Sequence, residues 1–99
     1  MDIDGHTVIV TGAGSGIGRA LAGEFAGAGA RVVAGDVDEA GVQETAAEIR
    51  AAGGRAIGLR ADAADTAGIE SLITLAGREF GPVDVYVAIE RARALAQFA

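Results

Sequence analysis

The chain reads as a three-layer α/β/α fold, a parallel sheet of about four strands with helices on both faces, and three observations predict it. Four short apolar segments alternate with stretches of helical period across 99 residues, the order that gives parallel strands joined by right-handed crossovers. The first apolar segment is β-branched without polar alternation, as in a strand covered on both sides. A glycine cluster follows it at once, where strand becomes helix. The expected strand order is 3-2-1-4.

Each element has its own signal. His6 to Thr11 is the first strand. From Ile17 the apolar residues Ala20, Leu21 and Phe25 recur at helical spacing, and Gly27 and Gly29 can end that helix. Arg31 to Gly35 is a second strand, after which Asp38 can cap a helix carrying Val42, Ala46 and Ile49 on one face, closed by Gly53 and Gly54. Arg55 to Arg60 is the third strand. Asp65 can cap a third helix with Ile69, Leu72, Ile73, Ala76 and Phe80 inward, stopped by Gly81-Pro82. Val83 to Ala88 is the fourth strand, and Ile89 to Ala99 has the period of a short terminal helix.

Composition narrows the function. The chain is 51% hydrophobic and 22% charged, but 23 alanines and 16 glycines supply much of its bulk, so large core side chains are scarce. A net charge of -6 opposes sequence-independent attraction to nucleic acid or anionic membranes. Without cysteine there is no disulfide, no thiolate metal site and no cysteine nucleophile, and the cytoplasm is the expected location. The longest uncharged stretch, Thr7 to Gly18, is too short to span a bilayer. The acidic start Met1-Asp2-Ile3-Asp4 is unlike a signal peptide.

The chemistry gathers at Thr11-Gly12-Ala13-Gly14-Ser15-Gly16-Ile17-Gly18. Glycines between a strand and a helix permit a tight turn, let a pyrophosphate approach the backbone and allow close helix-strand packing, while the helix start offers N–H groups to an anion. The pattern G-x-G-x-x-G fails, because Ile17 and Arg19 fall where its third glycine would be; T-G-x-x-x-G-x-G fits, through Gly12, Gly16 and Gly18. His6 and Tyr86 have no catalytic companions in sequence. His6 reads as structural or solvent-facing, and Tyr86 as a core or edge residue.

This variant resembles the signature of the short-chain dehydrogenase/reductase family, and the resemblance runs over roughly residues 5 to 88. It implies a Rossmann-like half-domain over residues 1–88 that binds NAD(P), with a divergent helical tail over 89–99. Asp36 stands where the family places the acid for the adenosine ribose hydroxyls. Asp62-Ala63 stands where an Asp and a small residue meet adenine, and Gly81-Pro82-Val83-Asp84 resembles the approach to the fourth strand. The implied cofactor contacts are Gly12, Ser15, Gly16, Ile17, Gly18, Asp36, Val37, Asp62 and Ala63. The Asp36 carboxylate would repel the 2′-phosphate of NADP, and neither Val37 nor Ser15 supplies a cation, so NAD is favoured over NADP.

The pattern then breaks. The family continues with Asn-Ala-Gly, whereas here Val87-Ala88 runs into Ile89-Glu90-Arg91. The family's proton relay is Y-x-x-x-K with a serine and an asparagine, but the chain has no lysine and no asparagine, and Glu90 lies four positions after its one tyrosine. No catalytic residue is therefore assigned. The break reads as truncation, internal deletion, a changed reading frame or an engineered fragment. Three functions stay open: a noncatalytic NAD-binding fragment of an oxidoreductase, an oxidoreductase completed by a partner chain, or an interaction module with a vestigial glycine loop. An uncovered fourth strand would invite a second copy, with the tail shielding part of it.

Overall fold

The computed structural model describes residues 2–89. They run β1 (Thr7–Thr11), α1 (Gly16–Gly27), β2 (Arg31–Asp36), α2 (Glu39–Ala51), β3 (Arg55–Arg60), α3 (Thr66–Glu79) and β4 (Val85–Val87). All pairings are parallel and the order is β3-β2-β1-β4, as the sequence predicts. The expected tail helix lies outside the described residues except for Ile89, which is not helical.

Two steps of the chain move outward from β1 to β2 to β3, and the third returns past β1 to β4. With right-handed crossovers that reversal puts α3 on the opposite face from α1 and α2. The core divides accordingly. Val8, Val10, Val32 and Ala34 face Ala22, Ala26, Ala46 and Ile49, whereas Ile9 and Val33 face Leu72 and Ala76. β1 is buried at all five positions because it lies between two strands and two helical layers.

The helix starts follow the sequence. The Asp38 carboxylate accepts the Gly41 N–H at 3.0 Å, and that of Asp65 accepts the Ala67 N–H at 3.1 Å, each satisfying an amide that has no partner within its helix. At the surface Arg19 pairs with Glu44 and Glu48, tying α1 to α2. Such exposed pairs contribute little.

Two expectations need correction. The fourth strand is shorter than predicted, and its alternation does not extend back to Val83. Val85 and Val87 pack on the α1/α2 side of the sheet, but Val83 packs on the α3 side beside Ile9 and Leu72. The reason is Asp84, whose N–H donates to the Thr7 carbonyl at 2.9 Å while its carboxylate accepts the Thr7 N–H at 2.8 Å. Both bonds pin the chain at that point, and regular pairing begins one residue later. The second correction is Ile73, which is 45% exposed rather than inward. The buried stripe of α3 runs through Leu72 and Ala76 with Leu75 and Phe80 at its flank, leaving Ile73 about 100° round the helix.

Candidate functional site

A cavity of about 660 Å³ opens at the carboxyl ends of all four strands. Thr11 and Gly12 border it from the end of β1, Asp36 and Val37 from β2, Ala61 to Ala64 from the segment after β3, and Tyr86, Ala88 and Ile89 from β4. This end of a parallel sheet is where α/β folds bind ligands, at the point where strand order reverses. Here the reversal lies between β1 and β4.

The structure brings together six of the nine residues assigned from sequence: Gly12, Ser15, Asp36, Val37, Asp62 and Ala63 line this cavity. The other three do not. Gly16 opens α1 with φ +57°, a left-handed conformation that favours glycine, and Gly12 has φ +64°. Ile17 points outward and is 63% exposed. Gly18 is buried, and a Cβ there would collide with the Gly12 carbonyl oxygen; its role is close packing.

Around the glycine loop the electrostatics suit an anion. α1 starts beside the cavity with no acid in its first turn, and the positive end of a helix dipole favours an anion. The Asp36 carboxylate accepts the Gly14 N–H at 2.9 Å through Oδ2 and the Asp38 N–H at 3.1 Å through Oδ1. Each carboxylate oxygen has a second lone pair, so both retain capacity for a diol. Asp62 accepts the Ala64 N–H at 2.9 Å, which shapes the turn before α3.

Sequence reasoning missed three features of the site. Tyr86 was expected in the core or at an edge; it sits on the edge strand, 36% exposed, and borders the cavity. Its phenol is pushed above its ordinary pKa by burial, a cause independent of Glu90, which lies outside the described residues. Ile89 packs on the loop, with its N–H donating to the Thr11 hydroxyl at 3.2 Å, a contact across 78 residues with no sequence signal. Finally, Asp36 has no basic neighbour along the chain, but Arg60 is its register partner across the sheet. Arg60 is exposed and does not border the cavity. His6 is half-buried at the opposite end of β1, its ring 3.3 Å from the Asp4 carbonyl. Among the described residues no helix is long and apolar enough to cross a membrane.

Comparison with known proteins agrees with this geometry. The family model described as short chain dehydrogenase matches residues 6–89. The chain is 54% identical over 85 residues to an L-rhamnose 1-dehydrogenase (NAD(P)(+)) of Azotobacter vinelandii, covering 82% of this chain and 33% of that protein. It is 40% identical over 87 residues to 3beta-hydroxysteroid dehydrogenase 1 of Eggerthella lenta, covering 87% of this chain and 33% of that protein. A crystal structure of a short chain dehydrogenase/reductase from Burkholderia phymatum in complex with NAD is similar with a TM-score of 0.83 and 40% identity, covering 87% of this chain and 31% of that one. The chain thus spans about a third of the length of these relatives.

Proposed function

The chain belongs to the short-chain dehydrogenase family, and from that premise we propose that it is the NAD-binding portion of an oxidoreductase, acting in the cytoplasm and performing no hydride transfer by itself. The observation that carries this reading is the convergence of Gly12, Ser15, Asp36 and Asp62 on one cavity at the strand-order reversal. The loop and the start of α1 would hold the pyrophosphate, Asp36 would accept the adenosine ribose hydroxyls, and Asp62-Ala63 would border adenine.

NAD is preferred to NADP on charge. A 2′-phosphate would lie against the Asp36 carboxylate, and the one basic residue in register with it, Arg60, stands outside the cavity. Bound NAD supplies a hydride acceptor. The chain's own residues supply binding and orientation, since it contains no lysine or asparagine and the Tyr86 phenol is shifted away from the range a proton acceptor needs. Relatives that match this chain include a rhamnose dehydrogenase and a hydroxysteroid dehydrogenase, so the match by itself names no substrate.

Titration of the 99-residue chain with NAD and NADP tests the proposal. The unmodified chain should bind NAD more tightly, and Asp36→Ala should narrow the gap by about 1–3 kcal/mol as a charge-assisted contact and a repulsion both disappear. No alcohol or ketone should turn over, with or without Tyr86→Phe. Tighter NADP binding would reverse the coenzyme assignment, and turnover abolished by Tyr86→Phe would make Tyr86 catalytic. If neither nucleotide binds, the chain is better read as an interaction module. The outer edge of β4 favours self-association in either case, because β4 pairs only with β1 among the described residues.

A further inference from the structure

One peptide group of the glycine loop is held at both of its ends by side chains from two different elements. The peptide between Ala13 and Gly14 offers its carbonyl to the Thr45 hydroxyl at 2.7 Å and donates its N–H to the Asp36 carboxylate at 2.9 Å. Thr45 belongs to α2 and is only 1% exposed, so water cannot replace its contact. Its hydroxyl also lies 3.0 Å from the Gly41 carbonyl one helical turn back, the usual local acceptor for a threonine in a helix. A hydroxyl carries one proton, and the shorter contact is the one that leaves the helix for the loop.

The surrounding packing admits this approach. The Ala13 N–H is bonded to the Gly35 carbonyl at 3.1 Å. A Cβ on Gly41 would come within 2.7 Å of the Gly14 carbonyl oxygen, so α2 reaches the loop only because residue 41 is glycine. A peptide is planar, and fixing both ends fixes the plane. Rotation of the 13–14 group would break both bonds and leave a buried carbonyl without a donor.

The geometry points to Thr45 as a positioning residue: through the 13–14 peptide it sets the loop conformation that receives the phosphates, although it does not border the cavity. Asp36 holds the other end of the same group but is also anchored by the Asp38 N–H, so the ribose acceptor keeps its place when the Thr45 hydroxyl is lost. This inference rests on the nucleotide-binding reading for its ligand, but the loop's own order can be measured without one.

The experiment compares wild type, Thr45→Val and Thr45→Ser as full chains. Valine keeps the shape and removes the hydroxyl; serine keeps the hydroxyl and loses the methyl. In the free chain, Thr45→Val should speed amide exchange at Gly14 by on the order of tenfold relative to Ile9 in β1, as expected when one buried hydrogen bond is lost. With ligands, it should weaken NAD by about tenfold while adenosine, which has no phosphate, changes less than about twofold. Thr45→Ser should restore both. Thr45→Ala provides the same comparison if the valine variant does not fold. Equal losses for NAD and adenosine, or Gly14 exchange unchanged by loss of the hydroxyl, would overturn the assignment. If wild type binds neither ligand, the nucleotide reading fails, and Gly14 exchange still decides for or against Thr45.

Discussion

Gly18→Ala is expected to lower the stability of the chain by about 3 kcal/mol or more and to remove nucleotide binding with it. Gly18 is the third residue of α1, buried where the helix crosses the glycine loop. A Cβ there would run into the Gly12 carbonyl oxygen and stand 3.1 Å from the Ala13 Cα. Both are backbone atoms, so no side chain can turn aside. Ile89 crowds the same loop: a Cβ on Gly12 would lie 3.0 Å from the Ile89 Cβ and carbonyl oxygen. The added methyl must push α1 off the sheet or distort the glycine turn that we propose holds the phosphates. Gly23→Ala in the same helix is the control, since nothing lies within 4 Å of its Cβ position. It should stabilise by about 0.5–1 kcal/mol through helix propensity alone. Urea unfolding of the two variants separates these cases, and a Gly18→Ala midpoint equal to that of wild type would show that the loop yields to the added methyl.

The contrast between those two glycines marks the limit of what can be read without a structure. The element order and the caps at Asp38 and Asp65 follow from local rules: β-branched runs, helical period and carboxylates before a first turn. The positions of Asp36 and Asp62 at strand ends follow in turn, and so does their meeting beside Gly12, because a parallel sheet gathers its carboxyl ends on one side. What stayed hidden depends on distance in sequence. Ile73 and Leu72 are adjacent and equally apolar, and only the direction of approach of α3 decides which is buried. Val83 changes face because Asp84 bonds to Thr7. Arg60 meets Asp36 through strand register, and Thr45 meets Ala13 across 32 residues through the approach of α2. No single-chain pattern carries those pairings.

Leu72→Ala should be the costliest substitution on the α3 face, about 4 kcal/mol. Leu72 and Ile9 are the largest fully buried side chains among the described residues, and their neighbours Val33, Ala61 and Ala76 are smaller. Half-buried Leu59, Leu75, Phe80 and Val83 pack against this centre. The fit is specific to one spot on β2: a Cβ on Gly35 would lie 2.7 and 2.9 Å from the two Leu72 methyl carbons. Leu72 therefore occupies the room that a side chain at position 35 would need, and a strand backbone cannot collapse into the space left by alanine. This makes a coupled prediction. Gly35→Ala should destabilise the wild type by overpacking, yet in the Leu72→Ala background it should cost little or recover part of the loss, because the same volume is now empty. Ile73→Ala, one position along, should change stability by less than about 1 kcal/mol. Thermal unfolding of the four-member cycle gives the answer, and strictly additive losses at positions 35 and 72 would mean that the two do not share this space.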